Sequence, residues 1–237
     1  MSITPLSKLP HFDPRLVPVT GVDTHLPHVS AGLLVPSALQ RRFETPSEWQ
    51  PEIVLEKKFA DRPPMRAAVL VPIVMRGPEA SQPTVLLTQR TAHLSTHSGQ
   101  IAFPGGKVDE TDIDATAAAL REAHEEVGLD GRFVQVLGTL PTYTTGTSFI
   151  ITPVVALVQP DFELKINPFE VADAFEVPLE FLMNPSNHHR HTFNWDGQHR
   201  EWFSMPYQEP HPEHPRERFI WGATAGMLRN FYRFLVS

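Results

Sequence analysis

Cysteine is absent from the 237 residues, which excludes disulfides and thiol chemistry and is compatible with a reducing cytoplasm. Long apolar runs are absent too. None approaches the length of a membrane span and no basic-then-apolar leader is present, so neither membrane insertion nor export is expected. Basic tracts are likewise missing. With 20 Lys and Arg against 27 Asp and Glu, the net charge of −7 argues against general nucleic-acid binding. An anionic substrate then has to be held by local cations or by a metal. Internal repeats are lacking, and apart from 24 prolines the composition is not that of a disordered chain. At 41% hydrophobic residues the chain can bury one sizeable core, so one domain with extensions is expected.

The stretch 103–129, FPGGKVDETDIDATAAALREAHEEVGL, holds the densest chemistry. Gly105 and Gly106 read as a tight turn that lets the backbone approach a metal or phosphate closely. The alanine-rich run after Asp114 predicts a helix, with Thr111, Asp112 and Asp114 supplying capping oxygens and Gly128 closing it. On such a helix Glu122 and Glu126 are one turn apart, and Glu125 lies three residues from Glu122. Three like charges on one face repel unless a cation neutralises them. Flexible anionic oxygen ligands suit Mg²⁺ or Mn²⁺ better than zinc. A superficial phosphate loop in 99–108 fails on spacing and at Val108, and is rejected.

Arg121-Glu122-Ala123-His124-Glu125-Glu126-Val127-Gly128-Leu129 resembles the second half of the Nudix box, R-E-U-x-E-E-x-G-U, with Ala123 for the usual bulky aliphatic. Gly106 and Asp112 resemble its first half, with Asp for Glu. Asp112 to Arg121 spans one residue more than the usual gap, which argues against a direct pair between them. Upstream, 86–106 is similar to the signature of coenzyme A diphosphatases. It keeps Leu86, Leu87, Thr88, Arg90, Gly99, Phe103, Pro104, Gly105 and Gly106, and departs at Gln89 for Lys, Thr91 for Ser and Ser95 for a spaced Arg. The segment Asn167-Pro168-Phe169-Glu170-Val171 resembles the N-P-x-E-V of the same group.

The rest of the chain reads around this centre. Residues 1–65 look like an N-terminal extension, with Pro5, Pro10, Pro14, Pro18 and Pro27 keeping it extended and a short helix over Ser37 to Phe43. Lys57, Lys58, Arg62 and Arg66 form a basic cluster whose bland reading is a solvated linker. Apolar Ala67 to Met75 and then Thr84 to Arg90 predict two strands paired as a hairpin. Phe133 to Leu140 and Phe149 to Val158 predict two more, joined by a polar loop at 141–147. His188, His189, His191, His211 and His214 lack zinc-type spacing. Thr192 to Trp195 and Arg200 to Met205, joined by Asp196-Gly197, predict a hairpin. An amphipathic helix is expected from Phe219 through Phe234.

The resemblance implies an α/β Nudix fold, an α/β/α sandwich with a mixed sheet, over 66–237. It implies a diphosphatase that uses Mg²⁺ or Mn²⁺ on coenzyme A or another nucleoside diphosphate derivative. It assigns metal binding to Glu122, Glu125, Glu126 and the carbonyl of Gly106, with Arg121 and Glu170 as further catalytic candidates. Arg90, Phe103, Gly105, Gly106 and Thr144 become the substrate-contact candidates. Arg121 is expected to orient Glu125, and Arg90 either meets phosphate or pairs with the helix. The expected partner is a small molecule, not nucleic acid or membrane, and a homodimer is left open.

Overall fold

The structure, a computed structural model, describes residues 12–53, 55–56, 63–92, 99–195, 198–210 and 214–237. Pro5, Pro10, Lys57, Lys58, Arg62, Ser95, His211 and the expected Asp196-Gly197 turn lie outside the described residues. In chain order the elements are β1 (Val19–Val22), α1 (Ala31–Leu34), α2 (Pro36–Glu44), β2 (Met65–Val74), β3 (Thr84–Arg90), β4 (Ile101–Ala102), β5 (Gly105–Lys107) and α3 (Ala115–Val127). There follow β6 (Val134–Thr139), β7 (Tyr143–Thr144), β8 (Phe149–Val158), β9 (Val171–Pro178), α4 (Leu179–Leu182), β10 (His189–Trp195), β11 (Gln198–Glu209), β12 (Arg216–Trp221) and α5 (Gly222–Val236). No helix among the described residues is long and apolar enough to cross a membrane.

The apolar run of β2 is buried on both faces, which is why it shows no polar alternation. Ala68, Leu70 and Val74 pack beneath α3 with Ala118, Ala119, Ala123 and Val127. Val69, Val71 and Ile73 face the opposite core with Met227, Leu228 and Phe231 of α5 and Met205 of β11. The main sheet is therefore covered by α3 on one face and by α5 with the second sheet on the other, a mixed α/β arrangement. Its order is β4-β3-β2-β8-β6, with β5 added to β2, β7 to β8 and β9 to β3.

The expected hairpin of β2 and β3 forms over a short register, and the expected start of the C-terminal helix is corrected. Strands β2 and β3 meet only at Ile73↔Val85 and Val74↔Thr84. The long partner of β2 is β8, parallel over Met65↔Phe149 to Val74↔Val158, and that of β3 is β9. A strand buried on both faces can choose a distant neighbour, and local order along the chain does not reveal which. Phe219 to Trp221 belong to β12 rather than to the helix. They pair with Ser204 to Pro206 of β11, and α5 starts at Gly222. Three consecutive bulky aromatic and β-branched residues favour a half-buried strand over a first helical turn.

The N-terminal segment is joined to the second sheet, whose order is β1-β10-β11-β12. Arg229 of α5 is almost fully buried and pairs with Asp23 at 2.8 Å and Glu52 at 2.7 Å. Arg190 of β10 reaches the same two carboxylates at 2.8 and 2.7 Å. Burial alone would raise both acids, but the hydrogen bonds and charges of the two guanidiniums outweigh it, Arg229 acting on Asp23 through its charge, and hold Asp23 and Glu52 below the usual carboxylate range. His188 completes the cluster. Desolvation lowers it to about 4, so it is neutral near pH 7; Nε2 lies 2.8 Å from the Leu182 carbonyl and Nδ1 3.2 Å from Arg229. His191 is likewise committed, to the Val17 carbonyl and the Ser204 hydroxyl.

Arg229→Ala leaves the buried Asp23 and the partly exposed Glu52 with one guanidinium between them. A stability loss of about 3 kcal/mol is expected in denaturant titration at pH 7. A midpoint equal to that of the parent would show that Arg190 alone neutralises the cluster.

Candidate active site

Helix α3 is set by the interactions its sequence predicts. Asp114 caps it, its carboxylate accepting the Ala117 N–H at 2.8 Å, and Gly128 closes it in the left-handed conformation at φ 72°. Ala118, Ala119 and Ala123 form the face against the sheet, and their small side chains bring the helix backbone close to β2. Glu122 and Glu126 extend the same face beyond the alanines, over the glycine strand β5.

Glycine at 106 leaves room for the Glu122 carboxylate. A Cβ there would overlap the Glu122 carboxylate. At Gly105 a Cβ would come within 2.5 Å of the Ala68 carbonyl oxygen, and the Gly105 N–H donates to Glu126 at 3.2 Å. Glu126 is the buried member of the set, its side chain only 4% exposed, while that of Glu125 is 54% exposed. Desolvation pushes Glu126 up to about 7, and the Glu122 and Glu170 carboxylates add to the shift against Gly105 and Arg90. Glu122 is raised as well, first by burial, with Glu125 and Glu170 contributing.

Arg121 organises the outer edge. Its Nε and Nη2 donate to Asp112 at 3.0 and 2.8 Å, its Nη1 to Glu122 at 3.0 Å and Glu125 at 3.1 Å, and Nη2 also to the Lys107 carbonyl at 3.1 Å. The expectation against an Asp112–Arg121 pair is therefore overturned. The additional residue is taken up in a closed turn: Asp112 N–H donates to the Asp109 carbonyl, and Asp109 N–H donates to the Asp112 carboxylate at 2.8 Å. That turn delivers Asp112 beneath the helix, and the Arg121 hydrogen bonds hold its carboxyl below the usual range. An Asp at each end of a four-residue stretch is the sequence signal for such a turn.

The remaining candidates divide by position. Arg90 lies 3.7 Å from Glu126, an ion-pair distance rather than a hydrogen bond. Glu170 sits on a turn beside them and acts electrostatically on both Glu122 and Glu126. Phe103 is 3% exposed and packs in the core on the α5 side. Thr144 lies across β2 and β8 from Gly106, on the order of 14 Å at the usual strand spacing. Its backbone carbonyl accepts the Glu56 N–H, and the Glu56 carboxylate accepts from Tyr143 and Gly146. Glu176 is remote, paired with Arg76 at 2.7 Å.

Among the described residues no three His, Asp or Glu side chains are gathered as tightly as a metal shell requires. Arg121, Arg90 and the Gly105 N–H share the carboxylates instead. The donor chemistry nevertheless fits a hard divalent cation. It is all oxygen, it lies over a backbone without side chains, and it includes a buried carboxyl whose charge is under-compensated.

Two outcomes follow from this geometry. Gly106→Ala keeps an ordinary backbone but displaces the Glu122 carboxylate, so metal-dependent turnover is expected to fall at least about tenfold with the circular dichroism spectrum unchanged. Glu126 keeps its proton in the folded chain up to about pH 7, whereas an exposed carboxyl loses it near 4.5. Stability of the metal-free chain therefore declines as pH rises between those values. Glu126→Gln is expected to be more stable than the parent at pH 8 in EDTA, by up to roughly 3 kcal/mol, with the gap closing by about pH 4.5. A gap independent of pH would refute the assignment.

The NUDIX domain family model matches residues 64–204. The uncharacterized Nudix hydrolase NudL of Enterobacter sp. (strain 638) is 44% identical over 165 residues, which cover 69% of this chain and 79% of that protein. NudL of Escherichia coli (strain K12 / DH10B) is 43% identical with the same coverage. Among solved structures, the Nudix hydrolase RenU of M. smegmatis is 26% identical over 56% of this chain and 81% of its own, with a TM-score of 0.44. A C. elegans Ap4A hydrolase binary complex is 23% identical over 49% and 81%, with a TM-score of 0.40. The domain match and the identity to NudL make this chain a member of the Nudix hydrolase family, enzymes that cleave diphosphate substrates and generally use divalent cations.

Proposed function

We propose that this chain hydrolyses the diphosphate of coenzyme A or an acyl derivative, giving 3′,5′-ADP and 4′-phosphopantetheine or its acyl form. The observation that carries the reading is the placing of Glu122 and Glu126 over the bare Gly105–Gly106 backbone, with Arg90 and Glu170 beside them. The choice of coenzyme A rests on the resemblance of 86–106, and the chemistry is assigned to 66–237 with 1–65 as an extension.

Glu122, Glu125, Glu126 and the Gly106 carbonyl are the groups that would hold Mg²⁺ or Mn²⁺. When bound, the cation neutralises charge on the diphosphate and makes water a better nucleophile. Arg121 keeps Glu122 and Glu125 from swinging into solvent by donating to both while Asp112 fixes its own fork. Arg90, loosely paired with Glu126, turns its remaining donors to a phosphate oxygen. Glu170, on the turn beside α3, would take the proton of the attacking water. Gly105 and Gly106 let the diphosphate approach the main chain, while Thr144 and its loop would meet the far end of a long substrate.

The decisive assay measures turnover of coenzyme A beside ADP-ribose, with Mg²⁺ and then Mn²⁺, resolving products by mass. The parent is expected to release 3′,5′-ADP, and Glu126→Gln to lose about 10²-fold or more. Cleavage of ADP-ribose alone would keep the hydrolase and overturn the coenzyme A assignment. Absence of metal-dependent turnover across a wider diphosphate panel would leave a ligand-binding regulator.

A further inference from the structure

Phe169 is 76% exposed. Leaving a phenyl ring in water forgoes most of the stabilisation its burial would bring. Exposed apolar side chains scattered singly are ordinary, and Leu16 and Ile113 are more exposed still. What distinguishes Phe169 is where it is fixed.

The turn 167–170 is tied at both ends to the carboxylate site. At one end the Asn167 N–H donates to the main-chain carbonyl of Glu126 itself at 2.9 Å. At the other, the Thr91 N–H donates to the Glu170 carbonyl at 3.0 Å, and Arg90 pairs with Val171 across the sheet. Phe169 is clamped between these ties. Its N–H donates to the Asn167 side chain at 3.1 Å, and its carbonyl accepts the Thr91 hydroxyl at 3.2 Å. Glu170 N–H and Val171 N–H both return to the Asn167 carbonyl. The backbone of a solvent-facing ring is thus held by residues adjoining Arg90 and Glu126, and its chain neighbour is the carboxylate of Glu170.

We propose that Phe169 is a specificity residue that stacks on the nucleobase of the diphosphate substrate. An isolated ring with an open face suits a flat π-system; an acyl chain would require a groove. Thr91, which follows Arg90, holds the Phe169 carbonyl, and the next residue, Glu170, acts on Glu122 and Glu126, so a nucleotide whose diphosphate lies between Arg90 and the carboxylates runs beside this turn. The inference rests on the hydrolase reading above, because it takes the diphosphate to lie at the carboxylate site.

The test is calorimetric binding of two non-hydrolysable probes in the presence of Mg²⁺: α,β-methylene-ADP, which carries a base, and methylenediphosphonate, which does not. The parent is expected to bind the nucleotide more tightly, and Phe169→Ala to weaken it about tenfold while leaving methylenediphosphonate unchanged. Phe169→Trp restores the nucleotide affinity. In turnover of the parent's substrate, Phe169→Ala raises KM with kcat near the parent value. Equal losses for both probes would mean a structural role, and no loss for either would overturn the stacking while leaving the hydrolase reading intact. Failure of the parent to bind either probe would overturn both.

Discussion

Like charges held against a backbone from which water is largely excluded set the terms for everything around α3. Glu126 is buried over the glycine strand, Glu122 lies one turn away and Glu170 approaches from the facing turn. Burial makes Glu126 and Glu122 harder to ionise, and the neighbouring carboxylates add to this. The alanine face of α3 makes the arrangement feasible, because small side chains let the helix settle close enough for the carboxylates to reach β5. Glycine at Gly106 removes the atom that would otherwise occupy the space of the Glu122 carboxylate.

A second charge cluster shows the opposite solution. Asp23 is also removed from water and Glu52 is partly exposed beside it, yet two guanidiniums reach both of them and their carboxyls lie below the usual range. In the α3 cluster Arg121 is spent on Asp112 and the outer glutamates, Arg90 remains 3.7 Å away, and Glu126 lies above the usual range. Full compensation marks a joint between the N-terminal segment and α5. Incomplete compensation leaves the α3 carboxylates as the candidate site for an external cation proposed above.

The legibility of the fold follows the range of the interactions. The α3 caps at Asp114 and Gly128, Pro36 at the start of α2, and the apolar strands β2, β3 and β8 are local signals, and the structure places these elements where such signals predict. Strand partners were not local. The union of β2 with β8 spans the glycine turn and α3, and its register depends on which faces the two cores cover. Phe219 to Trp221 carried apolar character that suits a helix stripe as well as a strand, and pairing with β11 decided between them.

The sequence alone determined the identity and spacing of Glu122, Glu125 and Glu126, since a helix with a 3.6-residue period has to bring them to adjoining turns. It also determined that glycines precede them and that no thiol takes part. Only the tertiary structure decided which of these carboxylates is buried, because that depends on β5 lying beneath α3. It alone decided that Asp112 reaches Arg121, since a turn and not the helix absorbs the additional residue. It brought the turn bearing Phe169 and Glu170 beside Glu126 through backbone hydrogen bonds between segments about forty residues apart in the chain. Hydrogen bonds of this kind form between main-chain groups common to all residues, so no side-chain pattern announces them.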